Sequence, residues 1–206
     1  MNERIALGSL TPATTQAAEG LPRRLWTLVE IEAMVAAGII DEDERFELIG
    51  GEVVPMSPKG ARHEIVKIEL NEHLQRVKSN DIRIAQETTL RLDEKNFVEP
   101  DFCVFSRSVS PGDMRGPDVL LAIEIADTSL AYDRGRKIGI YAAFGIAEIW
   151  VIDANRLVTH IYRELGAQGY GSITMASASD MLEARRATSV RVNLAELGLK
   201  PLVRRR

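Results

Sequence analysis

The chain has 206 residues, 45% of them hydrophobic and 27% charged, a balance that excludes wholesale disorder, a collagen-like repeat and a coiled coil. A chain of this length buries roughly 70% of its unfolded surface, so it needs neither disulfides nor a structural metal to build a core. Lys and Arg number 26 against 30 Asp and Glu, a formal net charge of −4. That sign argues against a general polyanion binder but leaves room for a nucleic-acid enzyme with a local basic groove.

Length predicts one domain, residues 23–206, preceded by an arm at 1–22. The arm is rich in Thr, Ala and Gly and holds Pro12 and Pro22, a composition expected to be mobile. Thr27 and Glu30 form a capping box and predict a short helix ending near Gly38. Arg45 to Val54 reads as two short strands around Gly50-Gly51, a hairpin signal. Pro55, Pro58 and Gly60 break the chain. A helix follows over 61–78, with Val66, Leu70, Leu74 and Val77 at helical spacing and His63 on the same face. Strands are expected over 82–92 and 97–105, separated by a turn at Asp93 to Asn96. Val119 to Ala126 is nearly all apolar, which predicts a central strand. A helix over 132–144, stopped by Gly145, leads to a short buried strand over 148–153. An outer hairpin should span 157–163 and 170–175, and a last short element lies near Leu194. The order predicts an α/β core with a mixed sheet, an added N-terminal helix and β-hairpins.

Cys103 is the only cysteine, which excludes internal disulfides and a cysteine-based zinc site. Glu124 and Glu148 break the longest apolar stretches, so no segment approaches the roughly 20 residues needed to cross a bilayer. Met1 to Gly20 contains no apolar signal core. These features predict a soluble cytoplasmic protein with no membrane partner.

Several catalytic signatures are missing. There is no phosphate loop and no Gly-rich dinucleotide fingerprint, and no nucleophile elbow. His63, His73 and His160 form no zinc-protease motif, and His63 and His73 stand too far apart on one helix to share an ion. A helix-turn-helix over 27–54 is disfavoured because the segment after Gly38 is acidic, the wrong sign for a helix facing phosphates.

What remains is acid inside an apolar strand. Alternation groups Leu120, Ala122, Glu124 and Ala126 on one face of the central strand, and Glu99, Asp101, Cys103 and Phe105 on one face of the preceding strand. A lone buried carboxylate is costly unless paired, protonated or bound to a cation. If the two strands are neighbours, Asp101 and Glu124 converge, and a hard divalent ion such as magnesium relieves their repulsion. Lys137, on the following helix, can point toward these acids, with Tyr141 one turn further on. Plainer readings stand beside this one: Glu124 paired with a core cation, Asp101 a turn residue, Lys137 the partner of Asp133, and His63 a packed core residue.

The run Glu99-Pro100-Asp101, then Glu124 to Ser129, then Tyr132-Asp133-Arg134 with Lys137 and Tyr141, then Gly145 to Asp153, resembles the Uma-type endonuclease family of bacteria. Phe46 to Glu52, Ser57-Pro58 and His63 resemble it as well. The likeness spans about residues 25–200. It implies a restriction-endonuclease-like fold of the PD-(D/E)XK superfamily, in which Pro100-Asp101 matches the first acid element and Glu124 the second. The superfamily lysine, two residues after Glu124, is Ala126 here, and the resemblance assigns its role to Lys137. Glu47 and His63 match family positions too, and the resemblance adds them to the candidate catalytic residues Asp101, Glu124 and Lys137.

The resemblance thus implies a metal-dependent endonuclease acting on DNA. Asp101 and Glu124, with the Ile125 backbone carbonyl, would hold Mg2+ or Mn2+, and Lys137 would assist. A homodimer would suit an enzyme that cuts two strands, although no dimer seam is visible. The alternative is a catalytically inactive nuclease-fold module for nucleic-acid binding or assembly, consistent with Ala126 and the net negative charge. The terminal Arg204-Arg205-Arg206 could touch phosphate or be a frayed tail.

Overall fold

A computed structural model describes residues 23–127 and 133–202. The expected arm at 1–22, Thr128 to Tyr132, the side chains of Asp133 and Arg134, and the basic tail lie outside the described residues. Helix α1, Leu28–Ala36, starts at Thr27, whose hydroxyl accepts the Glu30 N–H while the Glu30 carboxylate accepts the Thr27 N–H. Strands β1, Phe46–Ile49, and β2, Glu52–Pro55, form the expected hairpin. Its two-residue turn has φ +61° at Gly50 and +81° at Gly51, the left-handed pair that matches strand twist. A Cβ on Gly51 would stand 2.7 Å from the Leu25 Cβ, so this turn also needs glycine for space.

Helix α2, Ala61–Val77, buries His63, Val66, Leu70 and Leu74. Val77, expected on the same face, is the last residue of the helix and is 36% exposed. The predicted strand 82–92 is two strands, β3, Ile82–Gln86, and β4, Leu90–Asp93. Glu87 lies between them at φ +47°, a left-handed turn that breaks a strand. The predicted strand 97–105 divides likewise into β5, Asn96–Val98, and β6, Phe102–Ser106. Pro100 sits in the break, where the missing N–H costs no ladder bond.

These two breaks split the protein into two sheets. The smaller runs β2-β1-β5-β4. The larger contains β3, β6, then β7, Val119–Ala126, β8, Ile149–Asp153, β9, Val158–Gly166, and β10, Gly169–Ala176, in the order β10-β9-β8-β7-β6-β3. Only the β7–β8 pair of this sheet is parallel. Its crossover contains a π-helix, Asp133–Lys137, and helix α3, Ile138–Ala143. A small pair of strands, β11, Leu182–Glu183, and β12, Arg191–Val192, follows, then a 3-10 turn at Leu194–Leu197.

Both faces of β7 are covered, which explains its continuous apolar run. Leu121, Ile123 and Ile125 pack with Val66, Leu70 and Leu74 of α2 and with the C-terminal segment. Ala122 and Ala126 pack on the other face with Cys103, Ile138 and Tyr141. A third cluster joins Ile31 to Phe46, Leu48 and Phe97. Alternation holds from Ala122 to Ala126 but not at Leu120. The register steps from Val104↔Leu121 to Phe105↔Val119, so Leu120 is an extra residue in a β-bulge and turns to the α2 side. No helix among the described residues is long and apolar enough to cross a membrane.

Candidate functional site

Where β6 and β7 run side by side at the edge of the small sheet, a cavity of about 330 Å³ opens. Its lining includes Glu47, His63, Asp101, Glu124, Ile125 and Lys137, together with Lys59, Glu99 and Asp127. The six residues singled out in the sequence thus line one cavity. Five carboxylates face it against two lysines, an excess of negative charge that favours a cation.

Asp101 stands just before β6 and is 4% exposed. Its Oδ2 accepts the Ile125 N–H at 2.7 Å, which ties it to β7. Its Oδ1 accepts from Lys59 Nζ at 2.6 Å and lies 3.0 Å from His63 Nε2. Burial alone would raise its pKa. The His63 hydrogen bond and the Lys59 charge outweigh that and hold the carboxyl at about 2. His63 owes its place to the first turn of α2, where its Nδ1 lies 3.2 Å from Glu64 Oε1.

Glu124 occupies the face of β7 shared with Ala122 and Ala126, opposite the α2 side. Lys137 Nζ lies 2.9 Å from its Oε1 and 2.9 Å from Glu47 Oε1. The Tyr141 hydroxyl also donates to Glu124. Glu47 comes from β1 of the other sheet, and its Oε1 accepts the Glu99 N–H at 3.1 Å. Glu47, Glu124 and Lys137 are each at most 4% exposed. Lys137 is paired with these two acids, so it is a bridge between the sheets and not merely half of a helix surface pair. A wider π-turn within the crossover ends on it, a helical irregularity often found at functional positions. Burial would lower its pKa, but Glu124 and Glu47 raise it above the ordinary lysine value. Lys137 is therefore an ammonium donor in this arrangement and not a base.

Two neighbours are excluded as nucleophiles. Burial, then Glu124, pushes the Cys103 thiol up to about 12, and the same causes raise the Tyr141 hydroxyl well above its usual value. Thiol and phenol both stay protonated at neutral pH.

Four lining or adjoining acids and bases carried no role in the sequence reading. Glu99 bonds to Thr89 and pairs with Arg45. Asp127 Oδ1 accepts from Asn155 Nδ2 at 2.8 Å, and a Cβ on Gly60 would reach within 2.5 Å of Asp127 Oδ2. Lys59 follows Pro58 in the loop before α2, and Glu87 holds both Lys59 and Lys67. Their only sequence signal is proximity to breaks in the chain, where backbone groups and side chains reach a cavity most easily.

Among the described residues, no three His, Cys, Asp or Glu side chains converge as a metal cage. The donor set nonetheless suits a hard ion. Magnesium keeps several waters and takes one or two carboxylates, and Asp101 and Glu124 offer that number in an acid-rich cavity.

No curated protein matches the chain significantly. A solved structure described as a putative nuclease belonging to DUF820, from Anabaena variabilis ATCC 29413, matches with a TM-score of 0.59 at 13% identity. The match covers 79% of this chain and 94% of that one. It shows the fold, a nuclease fold consistent with the restriction-endonuclease-like core. The family model Uma2, described as "Putative restriction endonuclease", matches residues 29–195. That span takes in the hairpin carrying Glu47, Asp101 with the strand it precedes, the strand carrying Glu124, and the crossover carrying Lys137, and the chain belongs to the nuclease-like Uma2 family.

Proposed function

We propose that this protein is a metal-dependent endonuclease that hydrolyses phosphodiester bonds in DNA. The observation that carries the reading is the convergence of Asp101, just before β6, and Glu124, from its antiparallel neighbour β7, on one acid-rich cavity beside the ammonium of Lys137. Asp101 and Glu124 would hold Mg2+ or Mn2+, with the Ile125 carbonyl as a further oxygen donor. When bound, such an ion supplies Lewis-acid stabilisation of phosphate charge and acidifies water.

The chain's own groups do the rest. The Ile125 N–H fixes Asp101, and His63 holds its other oxygen from α2. Lys137 gives two of its three N–H bonds to Glu47 and Glu124; the third is the one a phosphate oxygen would take. A fixed positive charge aimed at the transition state needs no reorganisation when phosphate charge develops. Glu47 acts through Lys137 and is a positioning residue. A DNA partner, action as a homodimer and a cytoplasmic setting belong to the same proposal.

A second reading, a nuclease fold without the reaction, draws on two features. Ala126 occupies the usual lysine position, and each proposed metal acid already carries a lysine of the chain. Supercoiled plasmid and single-stranded DNA, incubated with Mg2+, Mn2+ or chelator beside Asp101→Ala, distinguish the two. Cleavage that needs metal and disappears in the variant supports the nuclease. Salt-dependent DNA binding with no cleavage and no metal requirement supports the inactive module.

A further inference from the structure

The two lysines of the cavity are not equivalent. Lys137 is 4% exposed and wedged between two buried acids, one from each sheet. The Lys59 side chain is 15% exposed and approaches from a loop at the rim. Its ammonium bonds Asp101 Oδ1 at 2.6 Å and also bonds Glu87. Glu87 stands outside the cavity's lining, in an adjoining cleft shared with Lys59, Lys67 and Arg45. Lys67 Nζ lies 2.9 Å from Glu87 Oε1, and Arg45 lies 3.8 Å from the same atom.

We infer that Lys59 is a displaceable counter-ion. Its ammonium occupies the cation position on Asp101, and a divalent ion must evict it toward Glu87 to bind. The inference rests on the reading of Asp101 as a metal ligand. An ammonium bonded to Asp101 Oδ1 and a divalent ion on that oxygen repel strongly and compete for the same lone pairs. Asp101 Oδ2 accepts the Ile125 N–H and Oδ1 also faces His63 Nε2 at 3.0 Å, and of these three partners only Lys59 comes from a loop with a second acid to move to. Lys137 has no comparable second berth, because both of its partners are in the cavity. Lys59 has one, since Glu87 already holds it. Glu87 keeps this berth through backbone held at φ +47°, a conformation uncommon for residues other than glycine. Eviction also changes what the site presents to its substrate. It brings the Lys59 charge fully alongside Lys67 and Arg45, in a cleft that adjoins the reacting position.

The test is Mn2+ binding by calorimetry to the full chain with no nucleic acid present. Lys59→Met should bind Mn2+ about tenfold tighter than wild type. Lys67→Met removes the same charge from the same acid without touching Asp101, and Lys95→Met removes one from the exposed β4–β5 turn. Both should stay within about twofold of wild type. Lys59→Arg keeps the charge and should bind no tighter than wild type. It also serves if Lys59→Met fails to fold, because Glu87→Gln, which removes the berth, should then weaken binding below that of Lys59→Arg. Unchanged or weaker binding in a folded Lys59→Met overturns the inference, as does equal tightening in Lys67→Met. Wild type and Asp101→Asn separate this failure from that of the metal site. If wild type binds Mn2+ and Asp101→Asn binds it equally well, the ligand assignment is wrong. If wild type binds and Asp101→Asn does not, only the role of Lys59 is at stake. Absence of binding in wild type and Lys59→Met alike overturns both.

Discussion

Two glutamates are buried on adjacent parts of the same sheet, and they do different things. Glu148, just before β8, is 2% exposed. Its Oε1 accepts two bonds from Arg163, at 2.8 and 2.6 Å, and one from Trp150 Nε1 at 3.0 Å. Its Oε2 accepts the Arg185 N–H at 2.8 Å. Glu124 is buried to a similar degree but shares its lysine with a second acid and faces a cavity. Glu148 ties the outer hairpin and the C-terminal segment to the core, and it does not line the cavity that Glu124 faces. Burial of an acid therefore does not mark a site. A buried acid whose counter-charge is divided, beside open space, is the better sign.

Substitutions at the two glutamates test this contrast. Glu124→Gln should abolish metal-dependent cleavage, by at least about 10⁴-fold, while circular dichroism shows a folded chain. Glu148→Ala should do the reverse. Breaking a buried ion pair costs about 3–5 kcal/mol, read from urea unfolding, with activity per folded molecule retained. Equal loss of cleavage from both variants would erase the distinction. Lys137→Met should reduce turnover about 10²-fold and leave plasmid affinity nearly unchanged, since its contribution is to the transition state.

Acid offers a subtler probe. The Asp101 carboxyl is held near 2, below its ordinary 3.8, so its stabilising effect is complete above about pH 4 and lost as pH falls toward 2. Glu87, raised by burial but lowered more by Lys59 and Lys67, is also held at about 2 and should titrate in the same window. Urea midpoints measured between pH 5 and 2 should fall steeply in wild type. Asp101→Asn should flatten that slope by an amount on the order of 2 kcal/mol. Thr27→Ala, far from either glutamate, removes the α1 cap and should cost only about 1 kcal/mol, with cleavage unchanged.

Much of this was legible in the sequence because the signals were local. The Thr27 capping box, the Gly50-Gly51 turn and the apolar run of β7 each define an element within a few residues. Asp101 and Glu124 could be paired because β6 and β7 are neighbours, although Asp101 stands in the break before β6 and is held there by the Ile125 N–H, not by strand alternation. The two strand breaks were not legible at their true positions. Nothing in the residue type at Glu87 announces a left-handed backbone, and Pro100 fits a strand start as well as a gap. Leu120 was placed on the wrong face because a bulge is a property of the strand pair, not of one strand. Lys59 was overlooked for a similar reason. Its partners, Asp101 and Glu87, are brought together by the β3–β6 ladder, where the Glu87 N–H bonds the Asp101 carbonyl at 3.3 Å, and the loop carrying Lys59 meets them only through tertiary packing.

The buried thiol of Cys103 turns the chain into its own gauge of breathing. It lies on the face of β6 that meets Ala122 and feels the charge of Glu124, directly behind the acids. It is also the only cysteine in the sequence. A thiol reagent can reach it only when the elements packed over it part, among them the crossover and strands β4 and β5. The rate of modification therefore times the opening of the floor on which the acids stand. Compared with amide exchange in β9 and β10, that rate would say whether the floor opens on its own or only when the whole sheet unfolds.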